Sequence, residues 1–154
     1  MTRTPVLEGG CQCGRVRYVL LSPPTGSFCH CRMCQRATGG VFAALTWLPK
    51  ADFAWTRGEP AVFASSSVAT RAFCRDCGTP LTFTYNDTDG TNVTMGSLDD
   101  PEQANMSGHY GVESRVSWLR LCDGLPEERT GDGEGDARLD GMVSHQASAD
   151  AGNE

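Results

Sequence analysis

The chain has 154 residues, enough for one domain, with 39% apolar residues and 18 glycines, so its core is expected to be small. A formal net charge of −6 and a pI near 5.0 argue against a nucleic-acid partner, because phosphate binding needs a basic face. No stretch approaches the roughly eighteen apolar residues of a membrane span, which predicts no membrane association.

The first ten residues contain no apolar h-region and no small-residue cleavage pattern, so a cytoplasmic protein with reduced thiols is expected. Residues 15–21 alternate and predict a strand that stops at Ser22-Pro23-Pro24. Residues 41–48 read as a buried strand ending at Pro49. Residues 52–56 and 61–64, joined by Arg57-Gly-Glu-Pro60, predict a hairpin, and residues 68–73 lead into Cys74. Residues 81–85 alternate, residues 86–90 form a turn, and residues 91–95 predict another strand. Asp100 and Pro101 open one helical turn as cap and first position. Phe42, Trp47, Trp55, Phe63, Phe73 and Phe83 sit at strand-like positions and are expected in the core, with Cys122 as a further small buried residue. From about Glu127 the chain turns acidic and Gly-rich, with only isolated Leu139, Met142 and Val143. Such a segment buries too little surface to offset its ordering entropy. The expected division is therefore a domain over residues 7–126 and a disordered tail over 127–154, the latter carrying an idle His145.

Cysteine spacing is the strongest signal. Cys11-Gln-Cys13, Cys29-His-Cys31-Arg-Met-Cys34 and Cys74-Arg-Asp-Cys77 hold seven of the eight cysteines. Cysteines two or three apart do not usefully bridge each other, but a tight turn converges their sulfurs on one ion, as tetrahedral zinc requires. A disulfide framework needs an oxidising compartment, and an iron–sulfur cluster fits these CxC and CxxC elements less well than zinc. Seven thiols divide into four for a closed site and three for a site with an open position, so two zinc ions per chain are expected. Spacing alone leaves the partition open. A ribbon-like pairing of Cys31 and Cys34 with Cys74 and Cys77 is one solution.

The segments Gly9-Gly-Cys-Gln-Cys-Gly-Arg-Val-Arg-Tyr18, Cys29-His-Cys-Arg-Met-Cys-Gln-Arg-Ala-Thr-Gly39 and Arg71-Ala-Phe-Cys-Arg-Asp-Cys-Gly-Thr-Pro80 resemble the glutathione-dependent formaldehyde-activating enzyme family, also called the centromere protein V/GFA domain. Met95-Gly-Ser-Leu-Asp99, His109, Trp118 and Asp123-Gly-Leu-Pro126 are similar to its later landmarks, so the resemblance covers residues 7–126. It implies a mainly β, zinc-stapled fold of the β-tent type with short helical turns. It also implies that Cys11, Cys13, Cys74 and Cys77 close a structural zinc site, while Cys29, Cys31 and Cys34 hold a catalytic zinc. The activity implied is that of a carbon–sulfur lyase, joining formaldehyde to glutathione as the S-hydroxymethyl adduct. The partners would be a small thiol and aldehyde, or their adduct.

Arg32 and Arg36 flank the proposed open site and suit bidentate binding of a substrate carboxylate. His30, the middle residue of a Cys-X-Cys turn, is expected to point away from a metal, as a supporting or exposed residue. His109, read in a loop, has an ordinary pKa suited to proton transfer. Thr38-Gly-Gly40 reads as a plain turn or a close approach to substrate, and Arg57 and Arg71 as surface salt-bridge partners. The function expected is a zinc-dependent carbon–sulfur lyase. The alternatives are a non-catalytic zinc-stabilised protein-binding module, whose three-cysteine group would be closed or absent, and methionine sulfoxide reduction, for which Cys122 is the only spare thiol.

Overall fold

The computed structural model describes residues 3–143. Its strands in chain order are β1 (Leu7–Gly10), β2 (Arg17–Leu20) and β3 (Thr25–Cys29), then, after the helix α1 (Arg32–Thr38), β4 (Ala43–Pro49), β5 (Phe53–Arg57), β6 (Ala61–Ala64), β7 (Ala69–Phe73), β8 (Pro80–Tyr85), β9 (Gly90–Thr94), β10 (Asn105–Tyr110) and β11 (Glu127–Glu128). The fold is mainly β, and α1 is joined by single 3-10 turns, one of them capped by Asp100 with Pro101 behind it. Among the described residues no helix is long and apolar enough to cross a membrane.

A three-stranded sheet, β1-β2-β5, packs beside an eight-stranded sheet of order β11-β10-β3-β4-β9-β8-β7-β6. All neighbours are antiparallel except that β10 runs parallel to both β3 and β11. The hairpin expected over residues 52–64 does not form. β5 pairs with β2, whereas β6 pairs with β7 in the other sheet. Gly58 between them takes φ 65° with its Cα against the Arg15 carbonyl, where a side chain would clash, and this turn passes the chain from one sheet to the other.

The main core lies between the sheets and contains Leu7, Val16, Tyr18, Leu20, Leu48, Leu81, Val93 and Leu98 together with Cys11 and Cys74. Tyr18 is fully buried, its hydroxyl 2.7 Å from Ser97 Oγ and its ring packed on Phe53 and Trp55. Two expected core aromatics lie elsewhere. Trp47 and Phe63 are 47% and 45% exposed. Strand alternation turns Thr46 inward and Trp47 outward, where its indole covers Gly90 on the neighbouring strand and occupies the space a side chain there would need. Cys122 is exposed, not buried, in the irregular segment before Pro126.

Strands β1, β3 and β10 escape sequence reading because they are short, and Leu-Glu-Gly-Gly, Thr-Gly-Ser-Phe-Cys and Asn-Met-Ser-Gly-His-Tyr show no clean alternation. In β3 the glycine has a packing reason: a side chain at Gly26 would collide with Met106 on β10 and with the Leu45 carbonyl on β4.

Residues 127–143 are largely exposed, as their composition requires, yet they run along the domain. Glu127 and Glu128 extend the sheet beside His109 and Tyr110. The Tyr110 hydroxyl donates to Asp136 at 2.6 Å, Arg138 pairs with Asp87 at 2.8 Å and stacks over Tyr85, and Val143 exchanges hydrogen bonds with Ser67. His145 lies outside the described residues. A chain ended after Pro126 keeps β1 to β10 and both cysteine groups. It loses mostly exposed contacts worth about 1 kcal/mol or less each. It is expected to fold and to keep its metal content with a melting temperature lowered by only a few degrees. A calorimetric loss above about 10 °C would show that the segment is part of the domain's core.

Candidate functional site

Four cysteines converge from two distant turns. Cys11 and Cys13 follow β1, and Cys74 and Cys77 follow β7. The turns are built alike. In each, the glycine after the second cysteine takes the left-handed conformation, Gly14 at φ 74° and Gly78 at φ 77°, and its N–H returns to the carbonyl of the first cysteine. The Gln12 N–H crosses to Thr79 Oγ1 and joins them. The four sulfurs lie within 4.8 Å of one another, with Cys11–Cys13 at 3.5 Å and Cys13–Cys74 at 3.7 Å. Tetrahedral ligands ~2.3 Å from a shared zinc would stand ~3.8 Å apart, so this donor set fits the ion. The Thr79 hydroxyl and N–H pull Cys77 down to about 6, favouring the thiolate that a metal needs.

The other group is assembled within one loop. β3 delivers Cys29 at its end, Cys31 is the N-cap of α1 and Cys34 sits one turn inside it. The Cys31 sulfur accepts the Cys34 N–H at 3.3 Å, which fixes the loop's entry into the helix. The three sulfurs lie within 4.8 Å, Cys29 and Cys34 buried and Cys31 partly exposed. This group too can hold a metal ion, and the pairing of Cys31 and Cys34 with Cys74 and Cys77 does not occur. Gly39 ends α1 in the left-handed conformation with its N–H on the Gln35 carbonyl, so Thr38-Gly39-Gly40 serves as a helix stop. Within the trio, hydrogen bonds from Cys29 and Cys31, then the Arg71 guanidinium, hold Cys34 far down at about 3 against burial. Cys29 is pushed well above the usual thiol range by the same neighbours, Cys31 and Cys34, and by burial.

The trio faces a cavity of about 510 Å³. Leu45, Phe83, Tyr85 and Tyr110 form apolar walls, and Leu139 and Met142 from the C-terminal segment complete them. A neighbouring hollow of about 620 Å³ is lined by Arg36, Phe63, Phe73 and Thr94 among others and contains no thiol. The cavity with sulfur donors is the candidate site, although it is the smaller. Arg32 lines it, with Nη1 donating to Gln35 Oε1 at 2.6 Å. Arg36 lines the neighbouring hollow instead. Arg71, expected at the surface in a salt bridge, lies in both and donates from Nη2 to Cys34 Sγ at 3.4 Å.

His30 and His109 are brought together by the parallel pairing of β10 with β3. His109 stands on β10, buried, and not in a loop. Its Nε2 donates to Asp123 at 2.9 Å, and its Nδ1 lies 2.9 Å from Nε2 of the fully buried His30. The consistent tautomers make His30 Nε2–H the donor and leave His30 Nδ1, the one ring atom without a partner, as an acceptor. Burial, then the Arg115 charge, pushes the His30 pKa down and keeps the ring neutral. Gln35 completes the support, its Nε2 donating to the carbonyls of His30 at 2.7 Å and Ser114 at 3.0 Å. No local pattern links these residues: His30 and His109, like Gln35 and Ser114, are 79 positions apart.

Two outcomes test these assignments. His109→Leu strands the buried His30 N–H and is expected to cost about 1–3 kcal/mol in urea unfolding, with Asp123→Asn costing less because Asp123 is partly exposed. Cys74→Ser removes a donor from the group that joins distant segments. Structural zinc contributes on the order of 10 kcal/mol to folding, so circular dichroism should report a largely unfolded or insoluble protein.

The sequence profile of the glutathione-dependent formaldehyde-activating enzyme family matches residues 6–113. A Schizosaccharomyces pombe protein named as an uncharacterized lyase is 35% identical over 89 residues, spanning 57% of this chain and 63% of its own length. A Halomonas elongata protein, named provisionally as a glutathione-dependent formaldehyde-activating enzyme, is 31% identical over 85 residues, spanning 49% of this chain and 54% of its own. The chain thus spans less than two thirds of the length of these relatives. A crystal structure of a Rhodobacter sphaeroides protein superposes with a TM-score of 0.49 at 18% identity, covering 78% of this chain and 98% of that one. With a profile match over more than half its length, the chain belongs to the glutathione-dependent formaldehyde-activating enzyme family.

Proposed function

We propose that this protein is a zinc-dependent carbon–sulfur lyase that makes or breaks the bond between a small thiol and the carbon of an aldehyde such as formaldehyde, with glutathione as the thiol that the family name favours. One observation carries this reading. The two cysteine groups differ: four donors gather at one, whereas three gather at the other, beside a cavity large enough for a small-molecule adduct. In the adduct-forming direction the thiol sulfur bonds to the carbonyl carbon. The carbonyl π pair moves to oxygen, and the proton leaving the thiol ends on the new hydroxyl, with no change of oxidation state. When bound, zinc lowers the pKa of a thiol and polarises an oxygen at its open position.

The chain's own residues divide the work. Cys11, Cys13, Cys74 and Cys77 hold the structural ion and fix the sheets. Cys29, Cys31 and Cys34 hold the catalytic ion, with Gln35 and the His30–His109–Asp123 chain keeping their loop in place. Leu45, Phe83, Leu139 and Met142 keep water from the reacting sulfur. Arg32 is the arginine to meet a substrate carboxylate inside the cavity. Arg36 meets one only where the thiol extends into the neighbouring hollow. A non-catalytic zinc module would close the trio with a fourth ligand, and among the described residues no other His, Cys, Asp or Glu joins that group.

Freshly purified wild type should carry about two zinc ions per chain by elemental analysis. Cys31→Ser should keep the circular dichroism and melting profile, because its loop is local, while abolishing turnover of S-hydroxymethyl thiol adducts read by mass spectrometry. Full turnover in Cys31→Ser would end the mechanism.

A further inference from the structure

Three thiolates around a divalent ion carry one excess negative charge, and a substrate thiolate at the open position adds another. In a cavity with apolar walls that excess is costly unless a fixed cation lies beside it. Arg71 is built for that place. It stands on β7, where its guanidinium carbon lies 4.6 Å from the Phe83 ring centroid. Nε donates to Oγ of Ser65, a residue 1% exposed, at 3.0 Å, and Nη2 reaches the Cys34 sulfur at 3.4 Å. Ring, hydroxyl and sulfur together leave this long side chain little freedom, so the fork is already oriented before any ligand arrives. A hydrogen bond to a ligand sulfur also weakens its donation, which leaves more acceptor strength for the open position.

We propose that Arg71 is a positioning residue for the three-cysteine centre, acting through Cys34 to offset its excess negative charge and so admit an anionic sulfur from the substrate. This rests on the reading of Cys29, Cys31 and Cys34 as a metal centre with an open side, and it adds a selectivity for thiolates over neutral ligands.

The test uses the full chain loaded with cobalt(II), whose sulfur-to-metal absorption reports ligand entry without turnover. The probes are 2-mercaptoethanol, which enters as an anion, and imidazole, which enters neutral. In Arg71→Met, thiol affinity should fall about 10- to 100-fold while imidazole affinity stays within about threefold, and Arg71→Lys should regain part of the loss. Equal losses for both probes would assign Arg71 a general structural role and overturn the proposal, as would unchanged thiol binding. Should Arg71→Met fail to fold, Ser65→Ala carries the test, because it loosens only the Nε anchor. Thiol affinity lowered several-fold with imidazole unchanged supports the proposal, and no change for either probe overturns it. Failure of the wild type to bind the thiol at all also overturns it. Wild type that binds thiol in an Arg71-dependent way, yet turns over no aldehyde adduct, would remove the lyase reading and leave this inference standing.

Discussion

The convergence of Cys11, Cys13, Cys74 and Cys77 is the constraint on which the rest depends. The two turns that carry them end β1, in the smaller sheet, and β7, in the larger, so their four sulfurs tie the sheets at one point. Cys11 and Cys74 are also members of the main apolar core, beside Leu7, Val16 and Leu81. Side-chain burial and ligand convergence therefore act on the same atoms. A core this small gains little from packing alone, and a shared ion can supply what the apolar contacts do not.

Strand β7 connects that point to the second group. Arg71 touches Cys34, and two residues later the same strand ends at Phe73, immediately before Cys74. The cavity is lined by Ala69 and Arg71 of β7 and by Arg32, Met33 and Cys34 of α1. Rigid ladders on either side of β7, to β6 and β8, hold the guanidinium at a fixed depth. The place of the guanidinium is thus set by sheet register, whereas the three sulfurs come from one short loop held at Gln35 and Cys31.

What was legible in the sequence follows from range. Short-range features were readable: the cysteine turns, the strands at residues 81–85 and 91–95, and the Asp100-Pro101 turn all have local causes in turn chemistry and alternation. The family resemblance rests on the same local motifs, and the profile match covers them. Features that depend on pairing partners were not readable. The 52–64 segment looks like a hairpin until each half finds a different sheet. His109 looks like a loop residue because Ser107 and Gly108 precede it, and only the parallel partner β3 makes that stretch a strand. Arg71 looks like any exposed strand arginine until β6 and β8 enclose it. Leu139 and Met142 read in the sequence as isolated apolar residues of a solvated acidic run, and their place in the cavity wall depends on long-range contacts that no local pattern shows.

The parallel insertion of β10 beside β3 has a consequence for the order of assembly. Thr25 is aligned with Asn105, so this pairing closes the longest loop in the larger sheet, whereas β7 with β8 and β8 with β9 close short ones. Long closures are entropically late events. The three cysteines lie within Cys29 to Cys34, so their spacing along the chain does not depend on β10, whereas the support from His109 does. The His30–His109 contact, which bridges the end of β3 and β10, can form only once β10 has docked.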